Sequence, residues 1–159
     1  MIPQSPFTQA LVGGVLFCIV LGVVGGLLTQ LSPWYYALRQ PRWKPPDWAF
    51  GPVWTTVFIC LTAAIAYAWD GASTGQRATM LWVLAINGAL NIAWTGIFFV
   101  MKKPALAFVE LVFFWISIAA LIYVLGGASR TAGYLLLPYI GWVTIAGLLN
   151  FQIIGLNRK

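Results

Sequence analysis

The sequence has no histidine and only three acidic residues, Asp47, Asp70 and Glu110. Without histidine there is no imidazole base, no proximal haem ligand of the usual kind and no mixed Cys/His zinc site. The acids are too dispersed to act as a carboxylate pair, and no nucleophile has a base at a recognisable spacing. Cysteine is almost as scarce. Cys18 and Cys60 fall in separate apolar stretches with no CxxC, which gives neither a disulfide framework nor a thiolate metal site; both read as small packing residues. Charged residues of either sign make up 8% of the chain, against roughly 25% in a soluble domain. A water-facing shell cannot be built from so few.

What the chain has in abundance is apolar surface: 61% of its residues are hydrophobic, and the mean hydropathy is +0.87. The charges are clustered, and the intervals between clusters predict helices over 8–31, 48–69, 78–101, 104–127 and 131–157. Each is long enough for a hydrocarbon core, which takes about 20 apolar residues as helix. Helices satisfy every backbone N–H and C=O internally, as lipid demands. A transmembrane barrel would alternate polar and apolar residues, and residues 11–28 do not. The expected fold is an all-α membrane protein, one five-helix transmembrane domain over residues 1–159. The first interval is expected to stay as a helix rather than be removed as a signal peptide. No Lys or Arg precedes Arg39, and the run exceeds the 7–15 residues of a signal's apolar region.

Alternating spans put the first connection (32–47), the third and the C-terminus on one side. That side carries Arg39, Arg42, Lys44, Lys102, Lys103, Arg158 and Lys159, whereas the other carries Arg77 and Arg130. The positive-inside rule therefore predicts an outside N-terminus, with the first loop and C-terminus in the cytoplasm. The formal net charge of +6 follows from this asymmetry. Such flanking bases attract anionic lipid head groups, and no solvated basic face is present for nucleic acid.

The densest signal is the segment PWYYALRQPRWKPPDWAFGPVW, residues 33–54, with Trp34, Trp43, Trp48 and Trp54 among five prolines. An interfacial aromatic belt accounts for indoles but not for the prolines, which restrict their own φ and the residue before them. A shaped loop lined with indoles is a plausible lid over an apolar cavity, each ring offering a π-face and one N–H donor. On the third helix Asn87, Asn91 and Trp94 share a face at i, i+4, i+7. Intramembrane polar groups normally face the bundle interior, so Asn87 reads equally as an interhelical hydrogen bond or a ligand contact. Trp142, Ala146, Leu149 and Asn150 form a similar stripe on the fifth helix, which Pro138 kinks or starts. Glu110 lies about two turns beyond Lys102 and Lys103 and reads as structural or snorkelling, with proton or ligand work the alternative. Gly22 and Gly26 form a GxxxG, and Ala85, Ala89 and Ala93 a small-residue stripe; either permits close helix contact, and the alanine stripe is the expected dimer seam.

The pattern Trp34-Tyr35, Leu38, Pro41, Trp43, Pro45-Pro46, Trp48, Gly51-Pro52, Trp54 resembles the TspO/translocator proteins, or tryptophan-rich sensory proteins. So do Leu90-Asn91-Ile92-Ala93-Trp94 with Ile97-Phe98-Phe99, and Leu137-Pro138-Tyr139, Trp142 and Leu149-Asn150-Phe151. The resemblance implies a five-helix bundle, often a homodimer, that binds tetrapyrroles such as protoporphyrin IX and in some members sterols or drug-like ligands. It implies no required cofactor, and the pocket would lie beneath the first loop. By position it assigns Trp43, Trp54, Asn91, Trp94, Trp142, Ala146, Leu149 and Asn150 to the pocket or its surroundings, with Trp54 and Trp142 implicated in light-dependent porphyrin breakdown. The short chain is what a bacterial member would have. Phe151 and Gly155 stand where a tyrosine and an arginine complete the sterol motif of some members, which puts sterol binding through it in doubt. Three functions follow: a porphyrin binding and sensing protein, a photo-oxidative enzyme that degrades porphyrin, and a porphyrin or lipid transporter. Five helices with no repeat and one buried acid give the third the least to work with.

Overall fold

The computed structural model describes residues 5–158; Lys159, counted above among the basic residues, lies outside them. Seven α-helices follow one another: α1 Pro6–Leu28, α2 Pro33–Ala37, α3 Asp47–Asp70, α4 Thr74–Thr95, α5 Pro104–Ala128, α6 Arg130–Leu135 and α7 Leu137–Leu156. A π-helical turn, Gly96–Val100, continues α4. Five stretches are long and apolar enough to span: Pro6–Leu28, Asp47–Asp70, Thr74–Val100, Pro104–Ala128 and Arg130–Leu156. The chain is thus a five-span all-α membrane protein.

Local chemistry sets the ends. Ser5 caps α1 through its hydroxyl, which accepts from the Thr8 N–H at 3.2 Å, and Pro6 follows at a position where no N–H is needed. Ser73 and Gln76 form a capping box on α4. Arg77 donates from Nη2 to the Trp69 carbonyl at 3.1 Å and lies over the Trp69 ring, closing the end of α3. In the third connection Lys102 adopts φ 57°, the left-handed conformation that lets two spans reverse within a few residues. The last span is two pieces. It breaks at Leu136, just before Pro138, so the proline sits in the first turn of α7, where its missing N–H costs nothing.

The core is apolar and aromatic, centred on α3, α5 and α7, with Leu61, Phe114, Leu121 and Tyr139 among its closed-off side chains. α1 packs on α3 and, less extensively, on α4; α5 packs on α4 and α7. Where α5 meets α6 the two backbones pack closely on glycine: a Cβ on Gly133 would lie 3.2 Å from the Gly126 Cα, a tight contact. Ala85 and Ala89 are exposed on the outer face of α4.

The first connection is folded and pinned at three points. Lys44 forms a salt bridge to Asp47, donates to the Tyr35 hydroxyl at 3.1 Å and lies over the Tyr35 ring. Trp43 Nε1 donates to Gln152 Oε1 at 2.8 Å. The Asn157 side chain accepts from the Arg39 N–H at 3.0 Å and donates to its carbonyl at 2.9 Å. The basic end is therefore one assembled surface, with the loop tied to the end of α7.

Candidate functional site

Between α1, α3, α4 and α7, under the start of the first connection, lies a cavity of about 490 Å³, within the range of small-molecule sites. Much of its wall is indole and phenyl faces. Trp142 meets Phe50 edge-on with ring centroids 5.4 Å apart, Trp54 lies against Phe58 at 5.4 Å, and Trp94 stacks on Phe98 at 5.6 Å. Trp54 is also held by the edge of Tyr139, centroid to centroid 6.1 Å. Tyr35 and Asp47 reach the cavity from the loop side, Asn91 and Thr95 from α4.

Two of these indoles are chemically unfinished. The Nε1–H groups of Trp94 and Trp142 are buried and have no hydrogen-bond partner. A buried donor left unpaired costs about 1–3 kcal/mol. Both rings line the cavity, while their N–H groups are closed off from its open space.

Asn91 belongs to a hydrogen-bonded chain running away from the cavity. Its Nδ2 donates to the Tyr139 hydroxyl at 3.3 Å, and that hydroxyl donates to Asn87 Oδ1 at 3.0 Å. Asn87 Nδ2 donates to Ser117 Oγ at 2.9 Å, and the Ser117 hydroxyl to the Phe114 carbonyl at 2.7 Å. The donors and acceptors of this chain alternate without conflict. Asn87, fully buried, is an interhelical bridge and does not line the cavity.

Of the residues singled out in the sequence, the structure brings Trp54, Asn91, Trp94, Trp142 and Ala146 together around this cavity. Three lie elsewhere. Trp43 turns outward onto Gln152, because its N–H finds that partner on α7. Leu149 packs with Tyr35, Phe98, Phe99 and Ala107. Asn150 donates to the Pro104 carbonyl at 3.2 Å, joining α7 to the start of α5. The loop's contribution to the cavity is a tyrosine rather than its indoles; Trp34 packs on Phe98, and Trp48 is 76% exposed. Sequence reasoning missed the α1 wall, Gly22, Gly25 and Gly26. There the GxxxG leaves room: a Cβ at Gly25 or Gly26 would meet nothing within 4 Å. Glu110 is partly buried on α5, away from the cavity, with neither carboxylate oxygen hydrogen-bonded.

Residues 14–156 match the TspO/MBR family. The chain belongs to that family. Among its relatives, the tryptophan-rich protein TspO of Chlorobaculum tepidum is 37% identical over 143 residues, covering 88% of this chain and 90% of that protein. The tryptophan-rich sensory protein of Cereibacter sphaeroides is 33% identical, covering 83% of this chain and 82% of its own. The human translocator protein is 32% identical over 122 residues, covering 76% and 72% respectively. This TspO/MBR member thus has an indole-walled cavity bounded by four of its five spans.

Proposed function

We propose that this TspO-family protein binds and senses porphyrins, protoporphyrin IX-like tetrapyrroles above all, in the cavity beneath its first loop. The observation that carries the reading is the cluster of indole and phenyl faces, Trp54, Trp94, Trp142, Phe50 and Phe58, around one cavity, with buried, unpartnered N–H groups on Trp94 and Trp142. A flat macrocycle stacks on indole and phenyl faces, and an indole that turns toward it gains an acceptor in its peripheral carboxylates or carbonyls. Such a ligand partitions into bilayers, and Gly22, Gly26, Gly51 and Thr55, which line the cavity along α1 and α3, stay exposed.

Titration of the purified protein with protoporphyrin, read by the shift of the porphyrin's main absorption band, should saturate at one porphyrin per chain. Trp142→Phe and Trp94→Phe each keep an aromatic face and remove one donor. Each should weaken binding by about three- to tenfold, the worth of one hydrogen bond. Unchanged affinity in both variants would overturn the reading.

A second reading, photo-oxidative breakdown of the same ligand, is favoured by one observation: Trp54 and Trp142, candidate partners for an excited porphyrin, both line the cavity. Illumination of the complex should then consume porphyrin faster than free porphyrin bleaches, and Trp54→Phe with Trp142→Phe should abolish the excess. Equal rates with and without protein leave binding alone.

A further inference from the structure

The first connection and the end of α7 frame a second concavity, on the outer surface of the basic end. It holds about 480 Å³ and is lined by Arg42, Trp43, Phe151, Gln152, Gly155 and Leu156 with Pro41. Its long walls are exposed apolar side chains, Trp43 from the first connection and Phe151 and Leu156 from α7. Its floor is bare backbone: a Cβ on Gly155 would meet nothing within 4 Å. The walls are fixed. Trp43 is tied to Gln152, Phe151 rests on Phe108 of α5 with ring centroids 5.5 Å apart, and Asn157 clamps the Arg39 backbone.

At the rim, Arg42 makes no salt bridge to any described residue, and Asp47, the acid of the first connection, is already taken by Lys44. Arg39 and Arg158, both exposed, flank the same end. The C-terminus of α7 adds a partial negative charge, which three guanidinium groups outweigh.

We propose that this trough seats one anionic phospholipid, its phosphate on Arg42 and one acyl chain laid over Gly155 between Phe151 and Leu156. A guanidinium fork matches phosphate geometry, and an apolar groove opening to the bilayer accepts a chain without dehydrating any polar group. The surplus of unpaired positive charge favours a lipid with net negative charge over a zwitterionic one. The site is separate from the cavity and does not depend on what the cavity binds.

The test is native mass spectrometry of the detergent-released protein with dioleoyl phosphatidylglycerol, dioleoyl phosphatidylcholine or cholesterol added singly and in competition. The wild type should retain one phosphatidylglycerol in preference to the other two. Arg42→Gln should lower that retention about fivefold, Arg42→Lys less, and Arg130→Gln, at the opposite end, not at all. Gly155→Leu, which fills the floor, should lower retention of both phospholipids. Equal retention by Arg42→Gln and wild type would overturn the proposal. So would a phosphatidylglycerol preference untouched by Gly155→Leu, because diffuse charge attraction needs no trough, and so would displacement by cholesterol at equal concentration. Thermal unfolding of each variant in the same detergent separates loss of the seat from loss of the fold.

Discussion

Tyr139 shows how one hydroxyl can govern two helices. Its hydroxyl joins the side chains of Asn91, on the cavity wall, and Asn87, deep in the bundle. Tyr139→Phe removes it and leaves an amide N–H and an amide carbonyl without partners in an apolar interior. The expected cost is about 1–3 kcal/mol, read as a lowered thermal midpoint in detergent. The same change should loosen the Trp54 indole that Tyr139 braces, so porphyrin affinity should fall although Tyr139 itself does not line the cavity. The sequence showed that Asn87 and Asn91 share a helix face, because i, i+4 spacing is local information. It could not show which of them keeps access to the cavity, since that depends on where a tyrosine on another span places its oxygen. Glycine was harder still to read: the α1 wall is defined by side chains that are absent, and absence leaves the same trace whether the space is filled by a neighbouring helix or left open.

Among the elements, the first connection carries the most specific prediction. Its three ties to Asp47, Gln152 and Asn157 make it part of the bundle. Gln152→Ala with Asn157→Ala should raise amide hydrogen exchange across residues 38–44 about tenfold, the effect of losing roughly one hydrogen bond's net stability. The Tyr35–Lys44–Asp47 cluster adds a pH dependence. Burial holds the Tyr35 phenol above its ordinary 10.0. Burial alone would lower Lys44, but hydrogen bonds from its ammonium to Asp47 and Tyr35 outweigh it and hold the group above its ordinary 10.5. Both groups bind their protons more tightly in the folded loop, so their contribution is complete below the ordinary values and is lost as pH rises through the folded ones. Loop protection, corrected for intrinsic exchange, should be level from neutral pH to about 9 and decline only in more alkaline medium. At the α5–α6 crossing, Gly133→Val forces apart two backbones already in contact and should cost about 1–3 kcal/mol, checked by the same thermal assay. The proline-rich composition revealed that the loop is shaped. That Trp43 points outward while a tyrosine points in was not legible, because Trp43 is turned by a partner 109 positions away in the chain.

At the scale of the whole molecule, the five apolar spans were legible, since a charge inside hydrocarbon is costly enough to mark where each run stops. The expected ends of 8–31 and 131–157 differ from Pro6–Leu28 and Arg130–Leu156 by a few residues, where Ser5 caps one helix and Asn157 closes another. One internal irregularity escaped and another was legible. The π turn at Gly96–Val100, which widens the third-span backbone where Phe98 and Phe99 are buried, left no trace; the break of the last span at Leu136 follows from Pro138, which starts α7. The distribution of arginine and lysine predicts that the end bearing the first connection faces the cytoplasm. A reporter active only in the cytoplasm, fused after residue 158, should be active; the same reporter inserted between Asp70 and Thr74 should be silent.

The glycine wall of α1 has a practical corollary. Because substituents at Gly25 and Gly26 project into free space, the chamber can be narrowed in graded steps, by alanine, then valine, then leucine, while the rest of the bundle keeps its packing. Such a series turns the protein into a calliper for its own guest: the step at which a candidate molecule is first refused reports how closely that molecule approaches the helix backbone.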